Sequence, residues 1–239
     1  MEPVGAPRIC AVVPVLNEAG AIGPMLARLP RHVVDIAIVV DGGSRDGTVA
    51  QARAAGAVVI EEMRRGYGQA CHTGAEYAAS LGAEIVLFMD GDGADAVEHA
   101  DALTGPLIRD EADFVLADRS SGARAPGSMG GHQILAGRLI GFAVGLITGV
   151  RYQDMCAFRA IRVRDLQRLG MREFGYGWNL EMQIRAARAK LRVREVTLPY
   201  FCRTAGESKV AGSLRGTIRA GRRIIWTLIS VGWTARQAP

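Results

Sequence analysis

Three carboxylates crowd into one short stretch, Asp90-Gly91-Asp92 and Asp95. Past the end of a buried strand such groups repel one another unless a cation or hydrogen-bond donors compensate. Hard oxygen donors suit Mg²⁺ or Mn²⁺, ions that keep waters and bridge to substrate phosphates. The expected chemistry is a diphosphate gripped through a metal, with Asp90 and Asp92 as its ligands. A bare D-x-D triplet reads equally well as a solvated turn. Here it follows Ile85-Val86-Leu87-Phe88-Met89 directly, which favours the metal. Asp95 reads either as a third member of the cluster or as N-cap of a helix near Val97, and the cap is preferred.

Two further clusters have the same form. Asp41-Gly42-Gly43-Ser44-Arg45-Asp46-Gly47-Thr48 follows a second apolar run, with glycines that allow unusual backbone angles. Asp41 is placed to contact a ribose or nucleobase, against the plainer reading that it closes the turn; Asp46 reads as a cap for the next helix. Pro14-Val15-Leu16-Asn17-Glu18 ends the first apolar run. Pro14 is expected to terminate the strand, Asn17 to cap a helix, and Glu18 to face the pocket.

These clusters need elements that bring them to one edge. Ile9 to Leu16, Val33 to Val40, Val58 to Glu61, Glu84 to Met89 and Phe114 to Ala117 read as strands. Helical patterns separate them, over Ala21 to Leu29, from about Thr48, and over Gly68 to Leu81. The alternation predicts an α/β fold, a Rossmann-like, doubly wound, mostly parallel sheet. Ligands of such sheets sit beyond the carboxyl ends of the strands, where the polar clusters fall. From about Pro126 the pattern changes. Met129 to Gly149 and Leu180 to Leu191 read as helices, Ala157 to Leu169 includes a strand or short helix, and Val193 to Tyr200 alternates like a strand. Gly212 to Val231 reads as a basic amphipathic helix. With no repeat or linker, residues 1–239 read as one domain with a C-terminal helical elaboration.

Charge is segregated along the chain. Residues 1–150 carry 11 Lys+Arg against 18 Asp+Glu, and residues 151–239 carry 18 against 6. An acidic half that can hold a cation precedes a basic half that can hold phosphates or meet an anionic surface. The four cysteines lack C-x-x-C spacing, which argues against zinc and a disulfide framework and for a reducing compartment. Cys156 and Cys202 read as packed thiols, and His72 and His132 as structural. No signal peptide is expected. The apolar run Leu139 to Val150 is shorter than the roughly 18 residues a span needs, and reads as a core helix or a shallow lipid contact. Strand one leads to no G-x-G-x-x-G turn, which argues against a dinucleotide-binding protein.

Val13-Pro14-Val15-Leu16-Asn17-Glu18, Val40-Asp41-Gly42-Gly43-Ser44, Arg65-Gly66-Tyr67-Gly68, Asp90-x-Asp92 and Ala117-Asp118-Arg119 stand in one order. In this the chain resembles the family 2 glycosyltransferases with the GT-A fold, over nearly its whole length. Asp154 to Ile161, Tyr176-Gly177-Trp178-Asn179-Leu180-Glu181 and Arg203 to Lys209 resemble the branch that includes dolichol-phosphate and polyprenyl-phosphate mannose and glucose synthases. The resemblance implies a nucleotide-sugar-binding half (1–125) and an acceptor-binding half (126–239). Pro14, Leu16, Glu18 and Asp41 would hold the nucleoside, and Asp90, Gly91 and Asp92 the ribose, metal and diphosphate. Arg119 and Arg203 would meet phosphate oxygens, with Lys209 beside the acceptor phosphate. Glu181 would sit near the sugar or acceptor, a catalytic residue with Asp92 and Arg119. Departures from the family pattern are Leu16 for an aromatic, Gly42 for a second Asp, and Asp118 for a small Ser, where it would restrain Arg119.

The implied reaction is inverting transfer of a hexose, mannose or glucose, from a nucleotide diphosphate sugar to polyprenyl phosphate, with Mg²⁺ or Mn²⁺. A phosphate nucleophile needs no strong base. Transfer to a soluble small-molecule acceptor would need one, with Asp154 or Glu181 as candidates. A third reading is a non-catalytic nucleotide-binding protein at a membrane. A cytoplasmic protein is expected, peripheral on the membrane if the basic helix lies in the interface and not on the core, with no nucleic-acid partner.

Overall fold

Apolar residues occupy nearly every position of the central strands, and not every second one, the pattern of strands covered on both faces. The computed structural model describes residues 6–205, 226–228 and 230–231. Its strands are Ile9–Val15 (β1), Ile36–Asp41 (β2), Val58–Glu61 (β3), Ile85–Phe88 (β4), Phe114–Asp118 (β5), Arg159–Arg162 (β6) and Val193–Thr197 (β7). The helices are Ile22–Arg28 (α1), Thr48–Ala54 (α2), Tyr67–Ser80 (α3), Ala100–Ile108 (α4), Gly131–Thr148 (α5), Val163–Leu169 (α6) and Trp178–Arg188 (α7). Alternate side chains feed two cores. Val13, Val39, Leu87 and Val115 pack with α1 and α4 on one face. Val12, Val40, Phe88 and Leu116 pack with α3, α6 and α7 on the other.

All seven strands form one sheet in the order β3-β2-β1-β4-β6-β5-β7. β3, β2, β1 and β4 are parallel neighbours. β6 runs antiparallel between β4 and β5, and β7 pairs parallel with β5. Helices cover both faces, so the expected doubly wound, mostly parallel α/β sheet is present. The reversed β6 brings the segment before Arg159 to the same edge as the carboxyl ends of β4 and β5.

Local differences from the sequence reading have local causes. Pro14 does not end β1, which continues to Val15, whose carbonyl accepts from Gly42 N (2.9 Å). β2 begins at Ile36 because Val33 and Val34 turn back to donate to the Pro30 carbonyl. Ala157 to Leu169 holds both a strand and a helix, β6 then α6. Most of the basic Gly212 to Val231 segment, including Lys209 before it, lies outside the described residues. Its last turn packs on the second core through Leu228 and Val231.

Candidate active site

Because β1, β2 and β4 are parallel neighbours, the loops after them leave the sheet side by side. Gly91 sits against the end of β1: a Cβ there would come within 2.5 Å of Val15 Cγ1, so any side chain would lift the acidic loop off the sheet. Asp92 is buried, with Oδ1 accepting from Ala94 N (2.9 Å) and Oδ2 paired with Arg203 (2.8 Å). The same guanidinium stands 3.7 Å from Glu18 Oε1. The chain before and after Arg203 crosses the acidic loop, Phe201 N donating to Ala94 O and Thr204 N to Asp92 O.

Asp95 does not cap a helix. Its Oδ2 accepts from Asp90 N (3.2 Å), folding the carboxylate back into the loop, and the 3-10 turn Val97–His99 has no side-chain cap. Burial pushes the Asp95 carboxyl well above the usual range, and the charges of Asp90 and Asp92 add to this. Asp90 is raised by burial and then by Asp92, while Arg119 and Arg203 draw it partly down. The enclosed Tyr67 hydroxyl lies near Asp90, and burial and that charge raise its pKa.

The loops after β1 and β2 are stitched together by side chains. Glu18 N donates to Thr48 Oγ1, Asn17 N to Ser44 Oγ, and Arg45 N to Asn17 Oδ1. Asn17 takes a left-handed backbone (φ 53°) and bonds across to the neighbouring loop, so it does not cap α1. Asp46 is not the N-cap of α2, which is Gly47 with no side-chain cap; its Oδ1 accepts from Thr48 N within the turn, and Oδ2 accepts from Ala19 N. Asp41 closes the turn, the plainer of its two readings. Its Oδ2 accepts from Gly43 N and Ser44 N, while Oδ1 is buried without a hydrogen-bond partner. Pro14 is half-buried and Leu16 exposed at the end of the same strand.

A second charge cluster lies where β5 ends. Arg119 makes a two-pronged pair with Asp154 (2.7 and 2.9 Å), donates its backbone N–H to the same carboxylate, and stacks 4.9 Å from the Tyr200 ring centroid. Asp154 is itself fixed, its N–H donating to Glu195 and its carbonyl accepting from Gln183. Burial alone would raise the Asp154 pKa, but the Arg119 charge and hydrogen bonds outweigh it and hold the carboxyl low. Asp118 does not restrain Arg119: its Oδ1 accepts from Ser120 N and Oγ.

Glu181 has a different place from the one expected. It is buried, with Oε2 accepting from Arg172 N and Glu173 N and Oε1 paired with Arg185 (2.7 Å). Both oxygens are committed to joining α7 to the loop before it. Cys156 is buried as expected, whereas Cys202 is exposed. His72 packs beside Phe174 and Trp178. The structure thus brings Pro14, Leu16, Glu18, Asp41, Asp90, Gly91, Asp92 and Arg203 to one edge, and Arg119 close enough to act electrostatically on Asp90. Asp154 as the anchor of Arg119 and Tyr200 beneath it were not assigned these places from sequence, whereas Tyr67 in Gly66-Tyr67-Gly68 reads there either as a pocket residue or as exposed. Asp154 arrives here because its segment leads into the reversed strand β6, which starts at Arg159.

An acidic loop flanked by Asp41 and Glu18 on one side and a half-buried Arg119 on the other, at the carboxyl edge of this mixed sheet, is the arrangement of a GT-A glycosyltransferase. Residues 10–166 match Glycosyl transferase family 2, and the chain belongs to that family. It is 36% identical over 216 residues to an uncharacterized glycosyltransferase of Mycobacterium tuberculosis, covering 89% of this chain and 94% of that one. An undecaprenyl-phosphate mannosyltransferase of Micrococcus luteus is 29% identical over 87% of this chain and 90% of its own length. A dolichyl-phosphate hexose transferase of Haloferax volcanii is 32% identical over 84% and 86%. Among solved structures, glucosyl-3-phosphoglycerate synthase of Mycobacterium tuberculosis, in complex with Mn²⁺, uridine-diphosphate-glucose and phosphoglyceric acid, superposes with a TM-score of 0.73. At 24% identity, over 95% of this chain and 80% of that one, it shows the common fold.

Proposed function

We propose that this glycosyltransferase moves a hexose, mannose or glucose, from a nucleotide diphosphate sugar to polyprenyl phosphate with inversion. The observation that carries the donor half is Asp92, buried beside Asp90 and Asp95 and met, among the described residues, by the guanidinium of Arg203. These carboxylates fit Mg²⁺ or Mn²⁺: their oxygens are hard donors, and burial, followed by the charge of the neighbouring carboxylates, raises the pKa values of Asp90 and Asp95. Among the described residues no group of three or more His, Cys, Asp or Glu is arranged to hold a metal ion by itself, so the proposed ion would need water and phosphate to complete its shell. Such an ion, held by Asp90 and Asp92, would supply charge neutralisation at the leaving diphosphate.

The chain's own groups would do the rest. Asp41 Oδ1, buried and unpartnered, would accept from the nucleoside, with Pro14, Leu16 and Glu18 lining the same end of the sheet. Arg203 would exchange its bond to Asp92 for a phosphate oxygen, and Lys209 would follow it along the chain toward the acceptor. Arg119, held by Asp154, would present a fixed positive charge to the phosphates. A soluble alcohol acceptor would need a base, and both carboxylates available for that are engaged, Asp154 by Arg119 and Glu181 by Arg185. The named lipid-phosphate relatives support the same acceptor. The test is a panel of uridine and guanosine diphosphate hexoses against polyprenyl phosphate, with and without Mn²⁺ or Mg²⁺. Metal-dependent transfer to the lipid is expected; transfer to a soluble alcohol with none to lipid would overturn the acceptor.

A further inference from the structure

A helix on the surface of a protein normally turns its apolar face inward, and α5 does so on one side only. Leu135, Leu139, Phe142 and Leu146 recur at spacings of four, three and four residues, and all are exposed, Leu146 by 74%. At 100° per residue they fall within an arc of about 60°. The opposite side is the packed one. Val144 is buried in the second core, and Gly141 lies so close to the Tyr152 carbonyl that a Cβ there would strike it. The glycines therefore let α5 lie down on the segment 151–154, which carries Asp154, the anchor of Arg119. Its apolar outer face has no counterpart among the other described helices.

Charge says what covers it. From Arg119 to Gln153 the chain has Arg119, Arg124, Arg138 and Arg151 and neither Asp nor Glu. Arg124, Arg138 and Arg151 are exposed, and the Arg151 guanidinium stands 5.7 Å from the Phe142 ring centroid, at the border of the apolar face. An apolar arc whose own segment carries cations and no carboxylate matches the boundary of an anionic bilayer, where acyl chains lie beneath phosphates. An acidic protein partner would take the arginines but not four large aliphatic and aromatic groups. The helix is not a span: no described helix is long and apolar enough to cross a membrane.

We infer that α5 is a membrane-surface helix, its Leu135, Leu139, Phe142 and Leu146 entering the headgroup–acyl boundary with Arg124, Arg138 and Arg151 at the lipid phosphates. Through Gly141 and Asp154 this surface adjoins the Arg119 end of the active site. The inference stands on α5 and does not depend on which acceptor is used.

The test is co-sedimentation of the full chain with phosphatidylcholine vesicles containing phosphatidylglycerol, and with phosphatidylcholine alone. The wild type should bind the anionic vesicles and bind the neutral ones more weakly. Leu139→Ser/Leu146→Ser should weaken binding to both about tenfold or more, and Arg138→Gln/Arg151→Gln should remove the preference for anionic lipid. Binding of a labelled nucleotide sugar should be the same in both variants as in the wild type, which separates this result from any failure of the donor assignment. The inference is overturned by a wild type that ignores vesicles or by a serine variant that binds them as the wild type does. It is overturned equally by a serine variant that turns a dimer into a monomer, which assigns the face to a second copy. A thermal midpoint lowered by more than about 5 °C, which assigns the face to the chain's own interior, also ends it.

Discussion

Asp95 and Asp154 are buried to nearly the same extent, 3% and 6% exposed, at the same edge of the sheet. Their pKa values move in opposite directions. Desolvation acts on both, so the sign is set by their neighbours. Asp154 faces a guanidinium that meets it through two prongs and a backbone N–H. Asp95 shares its space with Asp90 and Asp92, and among the described residues the Arg203 guanidinium pairs with Asp92 and Glu18 and not with Asp95. One cluster is electrically complete within the chain. Among the described residues the other carries more carboxylates than cations, which a cationic ligand would use.

The sharpest way to break this comparison is to remove charge from the incomplete cluster. Asp92→Asn should cut kcat/KM by about a thousandfold or more, since it takes a proposed ligand from the diphosphate site. Thermal unfolding without metal should show the variant no less stable than the wild type, and Mn²⁺ should no longer raise its midpoint. Full activity would take the acidic loop out of the chemistry. The complete cluster should behave the other way. Arg119→Ala strands a buried carboxylate, and urea denaturation should show a loss of about 3–5 kcal/mol. Arg119→Lys should recover only part of it, lacking the planar fork. A loss below about 1 kcal/mol would place Asp154 in solvent and dissolve the contrast.

Acidity sharpens it further. Asp90 and Asp95 have folded pKa values above their unfolded ones, so what they contribute is fully present below the unfolded value and is lost as pH rises through the folded one. For Asp95, pushed up to about 8, that window runs from the ordinary carboxylate range to mildly alkaline pH. Asp154, held low, contributes above the ordinary carboxylate range and loses this as pH falls. Metal-free protein should therefore lose stability steadily as pH rises from 5 to 8, by on the order of a few kcal/mol. Asp95→Asn should flatten that slope, and Mn²⁺ should restore the wild type at pH 8. A slope that persists in Asp95→Asn would mean another group carries it.

The parts of this contrast differed in how far sequence revealed them. Strands β1, β2 and β4 are legible because runs such as Ile85-Val86-Leu87-Phe88 are apolar on both faces, and the loops they end in are short. The acidic loop and Asp41 follow from that placement. Asp95 was misread because a carboxylate three residues after another looks like a cap, and only the fold shows its Oδ2 turned to Asp90 N. The antiparallel β6 was harder: Arg159-Ala160-Ile161-Arg162 has no turn signal giving its direction, and its place between β4 and β5 is a long-range property. The Arg119–Asp154 pair depends on that reversal, being 35 residues apart in the chain. Glu181 carries a motif-like setting that describes a sequence neighbourhood and not where the carboxylate points.

That last residue gives the smallest expected effect and the finest test. Glu181→Gln keeps one oxygen to accept from Arg172 N and Glu173 N but turns an amide toward Arg185 Nε, a donor facing a donor. Stability should fall by about 1–2 kcal/mol, read by urea denaturation, with the loss shared by Arg185→Gln and not additive in the double variant. Turnover at saturating donor and acceptor should stay within about twofold, because the group's bonds all end inside the α7 junction. A kcat lower by about a hundredfold at unchanged stability would return Glu181 to the chemistry. It would also mean that a carboxylate complete in its own pairing can still serve the reaction, and completeness would then cease to separate the structural cluster from the reactive one.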